Sequence, residues 1–480
     1  MIHLKIIIVK SLNFFCWNSI IELLFTPDQL LKKETLFLKV FFVTFGCKVN
    51  CYETECIART FTENGFTVSD AAEGCEVIVI NSCTVTSASD KKVKQSLRKL
   101  RHENPDSVIV LTGCYPQAFE DEAKKLTEAD IITGTRDRSE IVKLALNALG
   151  SRERKQITDL HCYTGHEAFE KMSYSSSEKK TRGFIKIEDG CNQFCSYCII
   201  PFARGRIRSK PLEDIVSEVK DLVSNGYQEI VLVGINLAFY GAETGLTLTD
   251  AVEAVSRVEG VKRIRLGSLE PEMISGDDLL RLKSIESFCP QFHLSLQSGC
   301  DRTLKAMNRK YDTAVYTRLV SSIRNIFPDA AVTTDVMVGF PGETEEDFEE
   351  SMEFVKKTAF SKIHVFPYSP RSGTKAAAMP DQINGSTKSE RAARMTELGH
   401  ELEREFLRSQ VGRTVPVLFE KENCTSFHRG YSPNYTLVKI KREPPIKSLR
   451  NSIFYVKIKE SMNGFCIGEI IPAEPQRVNV

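Results

Sequence analysis

The sequence predicts an α/β protein in three parts: an N-terminal parallel α/β sheet domain, a central partial (β/α)6 barrel of the TIM type, and a small C-terminal β-barrel of OB-like size. Three observations carry this. From residue 39 to 150, apolar runs bounded by Gly, Asn and Cys turns alternate with helical patterns. The alternation repeats at larger scale from residue 182 to 380, within a domain expected at 182–408. After Gly412 it gives way to short strands without helices. Strand–helix alternation implies a parallel sheet covered on both faces, and short strands alone suit a small closed barrel.

The elements follow in order. Residues 1–38 read as an atypical extension: the apolar stretch from Ile6 to Phe25 is interrupted by Lys10, Asn13, Asn18 and Glu22. It lacks the uninterrupted length of a spanning helix and a clear cleavage site, so no membrane association is expected. Strands are expected at 40–44, 77–81 and 108–112, with helices at 51–64, 87–101 and 119–126. The polar stretch 151–181, with Ser175, Ser176 and Ser177, reads as a linker. Barrel strands are expected at 183–188, 229–234, 263–266, 291–295, 331–338 and 362–366, and a charged helix at 387–410. The C-terminal domain, 409–475, should hold strands at 414–420, 435–439, 454–459 and 468–471.

Composition narrows the function. A chain of 480 residues exceeds one ordinary domain and suggests roughly three. Hydrophobic residues at 42% and charged residues at 26% exclude a disordered chain. With 64 Lys plus Arg against 63 Asp plus Glu, any nucleic-acid surface must be local. Fifteen cysteines, an odd number spread over a long chain, point to reduced thiols, a cytoplasmic setting and metal binding by some of them.

Two sets of cysteines stand out. Cys191, Cys195 and Cys198 form a CxxxCxxC run on the loop after the first barrel strand, where sites in such barrels lie. Three thiolates that close together can wrap one iron–sulfur cluster and leave an iron open to a small molecule. Three metal-free thiols, or zinc borrowing a distant fourth ligand, are the other readings. Cys47, Cys83 and Cys114 each follow an apolar strand and open a turn. Strand ends of a parallel sheet converge on one crevice, so these three thiols can meet; buried cysteines at strand ends are the alternative. Gly46, Ser82 and Gly113 before them allow close approach.

The CxxxCxxC run resembles the signature of the radical S-adenosylmethionine superfamily. With the second set, residues 39–475 resemble its methylthiotransferase family. The turn Gly46-Cys47-Lys48-Val49-Asn50, followed by Tyr52-Glu53-Thr54-Glu55, looks like the branch that acts on threonylcarbamoyladenosine in tRNA. Cys51 departs from that pattern. The resemblance implies two 4Fe–4S clusters, one on Cys191, Cys195 and Cys198 that binds S-adenosylmethionine, and an auxiliary one on Cys47, Cys83 and Cys114. It implies an RNA-binding TRAM domain at 409–475 and methylthiolation at C2 of N6-threonylcarbamoyladenosine-37 in a tRNA anticodon loop. It also implies a flavodoxin- or ferredoxin-like reductant. Isopentenyladenosine tRNA or a ribosomal-protein aspartate is the alternative target. A non-catalytic iron–sulfur RNA-binding or electron-transfer protein is the alternative of another class. A monomer is expected.

Further contacts are expected at strand ends. Gly234, Asn236, Ser268, Glu270, Gln297, Asp335 and Gly339 would line the S-adenosylmethionine pocket, with Glu343 capping the helix that starts at Thr344. Arg204, Arg206 and Arg208, at spacing two, would share one face of an extended segment; Arg206 would bind a carboxylate or phosphate there, unless the row is a solvated edge. Lys91, Lys94 and Arg98 on one basic helix, and Arg429, Tyr435 and Lys439 in the C-terminal region, would contact RNA. That region, 408–460, holds eleven Lys or Arg against four Asp or Glu. A solvated helix face and an aromatic barrel core are the plainer readings of both. Cys16, Cys56, Cys75, Cys162, Cys289, Cys300, Cys424 and Cys466 fit no ligand pattern.

Overall fold

The computed structural model describes residues 38–151, 153–174, 181–421, 426–442 and 448–471. The extension 1–38 lies outside them except for Leu38, as do Cys16 and Cys424. No helix among the described residues is long and apolar enough to cross a membrane.

Six parallel strands form the first sheet: β1 (Lys39–Thr44), β2 (Thr67–Val68), β3 (Val77–Ser82), β4 (Val108–Gly113), β5 (Ile131–Thr133) and β6 (Ile157–Asp159), in the order β2-β1-β3-β4-β5-β6. The residues of β3 alternate between two cores: Val77 and Val79 enter one, Ile78 and Ile80 the other. That is why its run is apolar throughout. The register pairs Thr44 with Asn81 and Ser82 with Gly113, so β1, β3 and β4 end level with one another.

The stretch 151–181 is not a plain linker. It supplies β6, and beyond it Met172 and Tyr174 are buried in the shared core. Three strand residues in a polar stretch leave too short a period-two signal to detect in sequence.

The central domain holds β7 (Arg182–Lys186), β8 (Glu188–Asp189), β9 (Arg208–Ser209), β10 (Glu229–Val233), β11 (Arg263–Leu266), β12 (Ser268–Leu269), β13 (Gln291–Leu294), β14 (Ala331–Val338) and β15 (Lys362–Pro367). Parallel ladders run β7-β10-β11 and β12-β13-β14-β15, and the third barrel strand changes ladder at Gly267. The expected first strand is split: β7 ends at Lys186, and β8 pairs antiparallel with β9. Ile230, Leu232, Phe292 and Leu294 face the helices outside, whereas Val231 and Val233 face inward. Val49 packs on those two valines, so the start of the helix Lys48–Glu63 closes part of the barrel's open side.

The helix Gly385–Ser409 leads to a closed five-stranded barrel in the order β16-β17-β18-β20-β19: β16 (Thr414–Phe419), β17 (Phe427–Tyr431), β18 (Leu437–Lys441), β19 (Ile453–Met462) and β20 (Phe465–Ile470). The sequence reading missed β17 and began β18 two residues early, because Tyr435 sits in a turn with φ 65°. This barrel docks under the central one. At the N-terminal strand ends, Arg263 donates to the carbonyls of Tyr431 (2.8 Å) and Pro416 (2.7 Å), and Arg265 donates to that of Pro433 (2.9 Å).

Candidate active site: two cysteine triplets joined by a buried arginine

Cys47 caps the helix Lys48–Glu63, Cys83 follows β3, and Cys114 begins the helix Cys114–Ala118. Level strand ends put them side by side. Gly46, at φ 107°, lies so close that a Cβ there would come within 2.6 Å of the Cys83 Cβ. Gly113, at φ 99°, is held as tightly, with the Ser82 carbonyl oxygen 2.5 Å from where its Cβ would be. Asn50 fixes the turn by donating to the Phe45 carbonyl (2.8 Å) and the Ser82 carbonyl (3.0 Å). Cys51, half-buried, stands one helical turn beyond Cys47.

Cys191, Cys195 and Cys198 lie on the loop after β8. The loop starts at Gly190, where a Cβ would meet the Arg206 carbonyl oxygen at 1.9 Å. It is stitched to a second segment: Ser196 N donates to the Met307 carbonyl (3.0 Å) and Asn308 Nδ2 to the Phe194 carbonyl (2.9 Å). Polar groups reach its sulfurs. Arg309 Nη1 donates to Cys195 Sγ at 3.2 Å, and Asn236 Nδ2 to Cys191 Sγ at 3.4 Å. Burial pushes the thiols up, Cys114 to about 12 and Cys191 to about 11. A metal would have to displace those protons.

The spacing of the sulfurs bears on what they can hold. A single tetrahedral zinc ion draws its thiolates to about 3.8 Å from one another, given metal–sulfur bonds of about 2.3 Å. Among the described residues, the one set of three ligand atoms all within 4.8 Å of one another is Cys300, Asp347 and Glu350. Each triplet offers three thiolates, the donor set that iron–sulfur clusters take. Asp347 in the tight set is already engaged by Arg302 and by the capping box of the helix Glu345–Thr358.

Arg204 joins the two triplets. It ends the short helix Ile200–Arg204 just after Cys198 and is fully buried. Its Nε donates to Cys114 Sγ at 3.2 Å, and its Nη2 to Asn50 Oδ1 at 2.7 Å and Glu53 Oε2 at 3.0 Å. Glu53 also pairs with Arg138 (2.9 Å) and Lys186 (2.9 Å). Burial alone would raise the Glu53 carboxyl, but Arg138, Arg204 and Lys186 pull it down to about 2. Thus a charged network from both domains fixes the sheet against the barrel beside the thiols.

The structure corrects the reading of the three arginines. A helix and then Gly205, at φ 70°, precede the extended part, so Arg204 and Arg208 turn inward while Arg206 is exposed over the Phe194 ring. The expected pocket residues divide. Asn236 reaches the cluster loop and keeps a buried Oδ1 without a partner. Ser268 lines the barrel cavity, and the Asp335 carboxylate on β14 lies 3.3 Å from His293 Nε2. The space at Gly234 is taken by the Glu188 carboxylate, 2.6 Å from a Cβ position. Glu270 accepts from Arg309 and so acts on Cys195 through it. Gln297, at φ 67°, bonds β14 through its backbone. At Gly339, φ 72°, a Cβ would strike Lys388. Glu343 caps nothing: Thr344 and Asp347 form the capping box, and Glu343 accepts from Gly339 N and Arg391.

Of the expected RNA contacts, Lys91 is exposed, whereas Lys94 and Arg98 pair with Glu122 and Glu128, both at 3.3 Å. Arg429 lies 3.8 Å from Glu420, and Lys439 lies over the Phe465 ring. The Tyr435 ring stacks on Tyr431 at 4.5 Å, with Arg182 and Arg265 also against it. About a third of its surface stays exposed beside the cavity under the central barrel. Sequence reasoning missed Arg309 and Glu53 as site residues. Arg309 carries no local signal, and Glu53 stood inside the quoted motif without a role.

Comparison with known proteins agrees with this arrangement. The Radical SAM superfamily model matches residues 185–355, and a model described as Uncharacterized protein family UPF0004 matches residues 39–134. Threonylcarbamoyladenosine tRNA methylthiotransferase MtaB of Bacillus subtilis (strain 168) is 38% identical over 408 residues, covering 84% of this chain and 90% of that protein. The tRNA-2-methylthio-N(6)-dimethylallyladenosine synthase of Caldicellulosiruptor saccharolyticus is 33% identical over 441 residues, covering 89% and 92%. Among solved structures, the radical S-adenosylmethionine methyltransferase TsrM from Kitasatospora setae shares the fold, with TM-score 0.53 at 13% identity over 71% of this chain and 77% of that one.

Fold and site define a radical S-adenosylmethionine enzyme with a second thiol-rich centre. More narrowly, the chain belongs to the radical S-adenosylmethionine methylthiotransferase family, in its MtaB-type branch. Its cofactors are S-adenosylmethionine and 4Fe–4S clusters.

Proposed function

We propose that this enzyme adds a methylthio group to C2 of N6-threonylcarbamoyladenosine at position 37 of tRNA. The observation that carries the reading is the pair of cysteine triplets tied together through Arg204. A methylthio transfer needs a radical source and a sulfur site held in register, and one rigid link between sheet and barrel supplies that. Cys191, Cys195 and Cys198 hold the cluster that binds S-adenosylmethionine; Cys47, Cys83 and Cys114 hold the auxiliary one. The cofactors supply radical formation, the methyl group and the sulfur centre.

The chain's own part is binding and orientation. Asn236, with its unpartnered Oδ1, Ser268 and Asp335 offer polar groups to S-adenosylmethionine. Arg309 and Arg204 each donate to one ligating sulfur and fix its position. Lys91, Lys94, Arg98, Arg429 and Lys439 offer charge to the phosphates of the anticodon stem. The electron donor is a flavodoxin or ferredoxin, and the enzyme works as a monomer in the cytoplasm.

The test is direct. Anaerobically reconstituted protein is incubated with tRNA, S-adenosylmethionine and reductant, and the digested nucleosides are read by mass spectrometry. The expected product is 2-methylthio-N6-threonylcarbamoyladenosine. A 2-methylthio derivative of isopentenyladenosine in its place would move the enzyme to the other tRNA branch.

A further inference from the structure

The inner face of the central barrel holds a cavity of about 410 Å³ that none of the cysteines lines. It falls within the roughly 300–1,000 Å³ of small-molecule sites. Its wall is polar where β13, β14 and β15 face inward, with His293, Thr333, Lys362 and His364, and its floor is the docked C-terminal barrel at Tyr431 and Tyr435. Above this wall, on the same face of the edge strand β15 as Lys362 and His364, Phe366 is 45% exposed, a flat apolar surface of the kind that stacks a base.

The cavity's charges are nearly all taken. Lys362 pairs with Glu403 at 3.0 Å, and His293 faces Asp335. Beneath, Glu229 is shared among Arg182, Arg263 and Arg265. Among the lining's lysines and glutamate, Lys48 is the exception. It lines the cavity directly after Cys47, and it has no hydrogen bond or ion pair among the described residues. Arg265 and Arg182 repel it, and Glu229, which those arginines share, attracts it more weakly. An exposed ammonium at the rim of a polar cavity, with no hydrogen-bonded partner among the described residues, is set to receive an anion from outside.

We propose that Lys48 reads the substituent on the substrate base by pairing with the carboxylate of the threonylcarbamoyl group, an inference that rests on the function proposed above. The base would lie higher in the barrel against Phe366, with its substituent directed down the polar wall. A dimethylallyl group, having no charge, gains nothing from Lys48 and leaves it unpaired.

The test uses reconstituted enzyme and anticodon stem–loop RNAs in a binding titration. Three RNAs are compared: one with threonylcarbamoyladenosine, one with that carboxylate converted to an amide, and one with unmodified adenosine. All carry the same phosphates, so only the carboxylate differs in charge. A charge-assisted hydrogen bond predicts that wild type prefers the carboxylate RNA about tenfold over the other two. Lys48→Met should erase that preference and leave binding of the unmodified RNA as it was, while Lys48→Arg keeps most of it. Iron content checks that the neighbouring Cys47 site still loads. A preference that survives in Lys48→Met overturns the inference and leaves the function standing. Amide RNA bound by wild type as tightly as the carboxylate RNA overturns it whatever the variants' folding. No preference in wild type, together with no methylthio product from modified tRNA, removes the function and this inference with it.

Discussion

The two cysteine triplets, each proposed to hold a cluster, are assembled in opposite ways. Cys191, Cys195 and Cys198 come from one loop, and local geometry sets their spacing: Gly190 turns the chain and the segment around Met307 braces it. Cys47, Cys83 and Cys114 come from three strands, and only the register of the sheet brings them together. A local site survives as long as its loop does. A dispersed site depends on every strand beneath it and on the domain contact that covers it, so the Arg204–Glu53 network has more to hold there.

The sharpest break in the comparison comes from its glycines. Gly46→Ala places a Cβ 2.6 Å from that of Cys83, in a backbone region that L-residues avoid. Gly190→Ala drives a Cβ into the Arg206 carbonyl. Each should cost one site and spare the other, so iron per reconstituted chain falls from about eight to about four in either variant. Loss of both sites from one substitution, measured by iron and cluster absorbance, would show that the two are not independent.

Glu53→Ala comes next. It leaves Arg204, Arg138 and Lys186 buried without their shared carboxylate, at a cost of about 3–5 kcal/mol in thermal or denaturant unfolding. Acid should do the same gradually. The Glu53 carboxyl is held down to about 2 from 4.5, so its contribution is complete above pH 4.5 and is lost as pH falls toward 2. The dispersed site should release iron earlier in that titration than the loop site. Equal release would argue that the network does not favour either.

A smaller and more selective effect is expected from the two sulfur-bonding arginines. Arg204→Lys should lower the reduction potential of the dispersed site's cluster alone, and Arg309→Lys that of the loop cluster alone, because a hydrogen bond to a ligating sulfur favours the reduced state. Potentiometric titration followed by electron paramagnetic resonance separates them. Smallest of all, Lys91→Ala should reduce the salt dependence of tRNA binding by about one unit of slope without changing the product.

The same contrast explains what could be read without coordinates. The loop triplet was legible because its three residues and their spacing sit in eight consecutive positions. The dispersed triplet was legible only because each cysteine follows an apolar strand long enough to recognise. Strands of two or three residues, such as β2, β5 and β6, carry too little periodicity to appear. Long-range ion pairs leave no pattern at all: Arg204 and Glu53 are separated by 151 positions, and Arg309 and Glu270 by 39. The arginine row misled because alternate spacing suggests a strand, whereas a five-residue helix and Gly205 reset the phase. Tyr435 shows the same limit: its contacts with Arg182 and Arg265 come from positions more than 160 residues away and leave no local pattern.

The most direct test of the division of labour between the triplets is a pair of single variants, Cys83→Ala and Cys195→Ala. Each is reconstituted anaerobically and assayed with S-adenosylmethionine, reductant and threonylcarbamoyl-modified tRNA, with 5′-deoxyadenosine and methylthiolated nucleoside measured together. Cys195→Ala should lose both products. Cys83→Ala should still form deoxyadenosine but give no methylthiolated nucleoside. Methylthiolation that persists in Cys83→Ala, or deoxyadenosine that persists in Cys195→Ala, would contradict the assignment of the two sites.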